Sequence, residues 1–331
     1  MNILLKPRVQ GSVFSNALRA IEWTFTEKPL KRYEPLKHHQ DTPVERRLSA
    51  PTALLDALDL LGNPRGIGWS WSKDPFPRES TPPPSAALLL AKTLFKLTLF
   101  DASQYIIQYV SPAANNPKGG SIFDPSLTLV PRAALAVLCS TCGAAWVYAT
   151  VESLSLIPAS IAQILFRQPA SMGPSLFRRP WASTSLQEAW NFRWHQLYRQ
   201  LFIVFGSRPG GALFGKPGAV MGAFAVSAIL HHVGLWGTGN GTEFVTTGGF
   251  FLLMGIGVVM EGVFTRVTGL RVRGWIGWSW TMMWVALWGT FMIDGWARHG
   301  VFATEFFPFE CRPGKVVVDT IIALIKKATI G

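Results

Sequence analysis

The chain has 331 residues and a net charge of +12, yet only 15% of its residues are charged, 49% are hydrophobic, and it holds 14 Trp and 22 Phe. An average soluble domain is roughly 25% charged, so much of this chain must be hidden from water. That excludes a disordered segment, and three cysteines exclude a disulfide scaffold. The basic residues are diluted among long apolar stretches instead of lining one polar face, which argues against nucleic acid and for a membrane surface as the anionic partner.

Residues 1–85 read as a basic cytosolic or interfacial segment. Lys6 and Pro7 follow Met1 to Leu5 where a signal peptide would continue as an apolar run. Thr81-Pro82-Pro83-Pro84 marks a boundary that no helix crosses. Residues 86–331 then read as a membrane-embedded domain. A span needs about 20 mostly apolar residues, and the clearest windows are Ala219 to Trp236, Thr246 to Phe264 and Trp275 to Ile293. Ser85 to Tyr109, interrupted by Lys92, Lys96 and Asp101, and Pro131 to Thr150, continuing to Phe166, are weaker. The expected fold is all-α, a polytopic transmembrane helix bundle of about five to seven spans. Gln200 to Phe205 and Val316 to Ile325 are too short to cross and read as re-entrant or interfacial pieces.

Between Arg167 and Lys216 stand seven cations and one acid, Glu188; after two further spans come Arg266, Arg271 and Arg273. The turn between those spans carries only Glu243. Lys and Arg gather in cytoplasmic loops, so both basic loops are expected on the cytosolic side.

Two of the six histidines, His231 and His232, lie inside an apolar window. An ionisable group at membrane depth is costly and marks a functional site by default; the plainer alternative is a hydrogen bond between helices. Ser227 and His231 are i, i+4 and share a face, so the serine hydroxyl is positioned to orient the ring. His232 is turned about 100° away, with Glu261 a candidate partner. Upstream, Ser183 or Ser185 followed by Glu188 reads as a helix cap. Asn191 and His195 then share one face, with Arg193 and Trp194 turned from it and Trp190 and Trp194 as headgroup anchors.

These residues carry a resemblance. Pro180-Trp-Ala-Ser-Thr-Ser-Leu-Gln-Glu-Ala-Trp-Asn-Phe-Arg-Trp-His195 resembles the signature of the wax synthase domain, in which Ser-Leu precedes Phe-Trp-Gly-x-Arg-Trp-His. Arg65-Gly66-Ile67-Gly68-Trp69 is similar to an element of the fungal members, Ser227-Ala-Ile-Leu-His231 to Ser-Gly-x-x-His, and Phe250 to Glu261 to the span that follows. The likeness runs from Asn16 onward, and the motif region is 174–266. It departs at Ala189, where Phe is usual, and at Asn191 and Ala228, where Gly is usual. Relatives carry membrane helices ahead of the Arg-Gly-Ile-Gly-Trp element, and the chain is expected to lack one or more.

The resemblance implies a fungal wax synthase domain protein of the membrane-bound O-acyltransferase (MBOAT-like) superfamily, an integral membrane enzyme expected in the endoplasmic reticulum. It would move an acyl group, acetyl favoured, from acyl-CoA to a hydroxyl of a lipophilic acceptor such as a terpenoid in secondary metabolism. The alternatives are a long-chain wax ester synthase and a degenerate lipid-binding protein. His231 is the implied catalytic base and His195 its assistant, with Asn191 a further catalytic candidate. Substrate contacts are expected from Arg193, Trp194, Trp190, Ser227, His232 and Glu261. Acyl-CoA (acetyl-CoA favoured) is the expected co-substrate, with no permanently bound cofactor and no metal; the bilayer, acyl-CoA and a hydrophobic alcohol are the expected partners, without nucleic acid. Acyl transfer to a hydroxyl needs a base with a pKa near working pH and a donor for the tetrahedral oxyanion, both of which these residues provide. The scattered histidines are too few for a di-iron centre, no hydropathy repeat suggests a transporter, and no Gly-x-Ser-x-Gly elbow competes.

Overall fold

The computed structural model describes residues 16–24, 30–31, 50–63, 66, 68–70, 85–166, 176–237, 239 and 241–330. Most of the basic N-terminal segment, Arg65 and Ile67 of the Arg-Gly-Ile-Gly-Trp element, and the start of the first basic loop lie outside these residues. Among the described residues the regular structure is helical. After a helical stretch at residues 16–24 come Ala50–Gly62 (α1), Ala86–Val110 (α2), Leu129–Phe166 (α3), Arg208–Trp236 (α4), Phe244–Thr268 (α5), Gly274–Arg298 (α6) and Pro313–Ile330 (α7).

At ~1.5 Å per residue, the 25-residue helices reach ~37 Å, enough to cross ~30 Å of hydrocarbon. Three helical stretches combine that length with sustained apolarity: Leu129–Ile161, Arg199–Trp236 and Phe244–Thr268. The protein is an all-α membrane protein. The short piece after Arg199 runs into the first part of α4, and beyond the Phe214–Gly215 break the chain folds back along it, because a Cβ at Gly206 would meet Gly222 and one at Gly210 would meet Gly218; this agrees with a re-entrant piece.

Local chemistry sets the helix ends. Ser85 caps α2 by accepting from the Leu88 amide, and α5 stops at Gly269, whose φ of 75° suits only a residue without Cβ. Inside α4, Phe214 and Gly215 leave helical geometry just before Pro217, which breaks the helix ahead of the predicted span.

The long helices pack in the order α7, α2, α3, α6, α5, α4. The charges that interrupt α2 are largely used in this packing. Lys96 donates to the Tyr148 hydroxyl of α3 at 2.7 Å. Asp101, 2% exposed, pairs at 2.8 Å with Arg312, 3% exposed, just ahead of α7. Asp101 also accepts from the Gly314 amide, and Arg312 donates to Gln108. One apolar core lies between α2, α3 and α6, around Ile107, Cys139, Ile293 and Phe302. A second, around Leu186, Ala228, Phe251 and Met254, is ringed by Trp190, Trp280, Trp284 and Trp288.

Both basic loops meet at one end of the bundle, because Gln187 and Lys216 from the first and Arg266 and Arg271 from the second line one cavity. By the positive-inside rule that end is expected to face the cytosol. Single cysteines at Arg178 and Arg271 are therefore expected to label from outside sealed microsomes, and one at Thr242 only after permeabilisation. Opposite accessibility of the first two would contradict the arrangement.

Candidate active site

Residues 176–207 cross the α4–α5–α6 end of the bundle and build the site. Ser185 is the helix cap anticipated near Glu188, accepting from the Glu188 amide at 3.0 Å, while the Glu188 carboxylate takes the Thr184 amide. Glycines seat this segment: a Cβ at Gly257 would overlap Leu186 and Trp284, and one at Gly277 would overlap the Thr184 carbonyl. After one α turn, Leu186–Glu188, the backbone widens into a π turn over Ala189–Arg193, closed by the Trp194 amide on the Ala189 carbonyl. Trp194 is extended, so no helical i, i+4 face joins Asn191 to His195. The side chain of Gln196 instead holds the turn, donating to the Trp190 and Trp194 carbonyls. A second π turn, Ile203–Ser207, leads into α4; such turns recur at functional sites.

A cavity of about 160 Å³ lies between this segment, α4 and Phe251 of α5. Of the residues anticipated from sequence, His231, His195, Asn191, Trp190, Trp194 and Ser227 line it. Asn191 and His195 thus reach it from either side of the extended Trp194 instead of from one helical face. Gln196, Arg199, Ser207, Phe224 and Phe251 line it as well and were not singled out from sequence. Gln196 directly follows the Arg-Trp-His element and Phe251 lies inside the Phe-Phe motif, so adjacency was the available signal.

His231 stacks on Phe251 with ring centroids 4.0 Å apart. Its Nδ1 lies 2.7 Å from the Ser227 backbone carbonyl and 3.4 Å from the Ser227 hydroxyl. The carbonyl, not the hydroxyl expected from sequence, is therefore the closer partner. A carbonyl only accepts, so Nδ1 carries the proton and Nε2 keeps its lone pair. The other anticipated residues have different work. Arg193 pairs with Glu188 at 2.7 Å and donates to the Arg178 and Arg179 carbonyls, clamping the segment. Glu261 accepts from the Leu186 and Gln187 amides and from Trp280 Nε1, holding the opening of the short helix instead of meeting His232. His232 sits edge-on to Phe244 and does not line the cavity.

His195 packs edge-on against Phe177, and its Nδ1 is buried without a hydrogen-bond partner. Burial, with His231 beside it, pushes its pKa from the ordinary ~6.5 down to about 3. The unfolded chain therefore takes up this proton first as pH falls. The neutral ring's contribution to stability is complete above pH ~6.5 and declines on acidification. His195→Gln is expected to flatten the loss of Tm between about pH 7 and pH 5; an unchanged pH slope would contradict the burial of this ring. Among the described residues no cluster of His, Cys, Asp and Glu has the makings of a metal site.

Residues 173–253 match the membrane bound O-acyl transferase family. That match, with the two relatives below, supports kinship with that superfamily. Every residue lining the cavity falls within the matched segment. The chain is 23% identical over 310 residues to "O-Mevalon transferase macI" of Penicillium terrestre, covering 84% of this chain and 70% of that protein. It is also 23% identical over 271 residues to "O-Mevalon transferase yanI" of Aspergillus niger, covering 69% of this chain and 58% of that protein.

Proposed function

We propose that this acyltransferase moves a short acyl group from acyl-CoA to a hydroxyl of a lipophilic acceptor, with residues 86–331 as the catalytic unit. The observation that carries the reading is the His231 Nδ1 bond to the Ser227 carbonyl, which leaves Nε2 free as a base in the cavity that His195 and Asn191 also line. Nε2 takes the alcohol proton as the oxygen attacks the thioester carbonyl, forming the C–O bond. The negative charge on the carbonyl oxygen is met by an N–H of neutral His195 and by the Asn191 amide. Collapse breaks the C–S bond, and the proton on His231 passes to the departing CoA thiolate. Arg199 also lines this cavity and is the proposed contact for the donor's phosphates.

Cavity size bears on the acyl group. About 160 Å³ is small beside the ~300–1,000 Å³ of drug-sized ligand sites, which supports acetyl over a long chain. A mevalon group is the second reading, favoured by the names of the two relatives. A terpenoid or other secondary metabolite is the proposed acceptor, and the endoplasmic reticulum the proposed membrane.

The test supplies microsomes containing the protein with labelled acetyl-CoA, mevalonyl-CoA or palmitoyl-CoA and a panel of terpenoid and fatty alcohols. The expected result is labelled ester from a short donor and a terpenoid alcohol. Ester from palmitoyl-CoA alone would make the protein a wax ester synthase. No ester from any pair would favour a degenerate lipid-binding protein.

A further inference from the structure

A second cavity, about 880 Å³, opens where the two basic loops meet and is separate in its lining from the histidine site. Lys216 enters it from the broken part of α4, Arg266 from the last turn of α5 and Arg271 from the turn between α5 and α6. Among the described residues, none of these three cations has an ion pair or a side-chain hydrogen bond. Glu261, the acid in the lining, forms no ion pair with them; its oxygens accept from the Leu186 and Gln187 amides and Trp280, so at most one negative charge stands against three positive ones.

Three unpaired cations converging on one concavity call for an anionic ligand with several acceptor oxygens, the chemistry of a phosphate. The surroundings say which kind. The lining residues come mainly from the end of α5, the turn after it and the α4 break, and exposed apolar residues flank them in sequence: Val267, Leu270, Trp275 at 81% and Ile276 at 86%, with Phe214 next to the α4 break. A soluble phosphate compound has no use for such flanks, whereas acyl chains do. On the proposed function the donor's phosphates meet Arg199 at the other cavity, which leaves these three cations for a different ligand. We propose that this pocket binds the headgroup of an anionic phospholipid, with Lys216, Arg266 and Arg271 on the phosphate and the acyl chains lying along these apolar flanks.

The proposal concerns binding and stands apart from acyl transfer, so its test reads lipid retention and not turnover. Protein purified in mild detergent is exchanged into nanodiscs of dioleoylphosphatidylcholine containing a minority of dioleoylphosphatidylserine, and the co-retained lipids are quantified by native mass spectrometry. Wild type is expected to enrich phosphatidylserine by at least about tenfold over phosphatidylcholine. The K216Q/R266Q/R271Q variant, altered only at exposed positions, is expected to lose that enrichment. Arg273→Gln, an exposed cation that does not line the cavity, is expected to keep it. Undiminished enrichment in the triple variant, equal loss in Arg273→Gln, or displacement of phosphatidylserine by added CoA would each overturn the assignment; displacement would make this the donor's phosphate site.

Discussion

His231→Ala is expected to lower turnover by ~10²- to 10⁴-fold, the usual cost of losing a general base, while the protein reaches the membrane in normal amount. The ring is held by the Ser227 carbonyl and stacked on Phe251 of α5, so its removal deletes the free Nε2 together with one α4–α5 ring contact, and turnover is therefore read per folded molecule. Ser227→Ala keeps the backbone carbonyl and is expected to retain most activity, because the hydroxyl lies farther off at 3.4 Å. His232→Ala is expected to act on stability, losing its edge contact with Phe244 at the α4–α5 hairpin, and to leave turnover per folded molecule close to wild type. Turnover assayed against folded protein, measured by fluorescence-detected size exclusion, separates the three. A His232→Ala protein that folds normally but is inactive, beside an active His231→Ala, would reverse the assignment.

The largest effect on stability is expected at the far end of the bundle. Removing one partner of a buried ion pair strands the other charge and costs ~3–5 kcal/mol. Asp101 and Arg312 are such a pair, and Asp101 also holds the Gly314 amide at the start of α7. Arg312→Met is expected to lower Tm sharply and to release α7 to proteolysis. The double variant Asp101→Leu/Arg312→Met is expected to recover part of the loss, since no uncompensated charge remains. Thermal melts in a single detergent decide it; a double variant no better than the worse single one would show that the cluster works mainly through its hydrogen bonds to Gln108 and Gly314.

Apolar length is a local property, so the windows Ala219 to Trp236 and Thr246 to Phe264 were legible; Trp275 to Ile293 forms α6 but is not among the three stretches apolar enough to span, whereas the weaker stretch from Pro131 is. Asp101 and Lys96 looked like interruptions of a weak span because their partners, Arg312 and Tyr148, are 211 and 52 residues away. The site was half legible. His231 stood out as a charge-capable group in an apolar run, and the Arg-Trp-His element marked His195. The helical face assigned to Asn191 and His195 was not found because a side chain, Gln196, props open a π turn by capturing two carbonyls, and no periodicity encodes that. Arg193 and Glu261 looked like ligand contacts because they stand in the resembling motifs; the structure gives Arg193 to the Glu188 carboxylate and two carbonyls, and Glu261 to two amides and Trp280.

The central claim is that the His231 cavity transfers an acyl group to a hydroxyl, and the most direct measurement is release of free CoA thiol by purified protein in nanodiscs, with and without an alcohol acceptor. The account predicts acceptor-dependent thiol release matched by ester in wild type, and a signal at least ~100-fold lower in His231→Ala. Acceptor-dependent release that is equal in both proteins would contradict it.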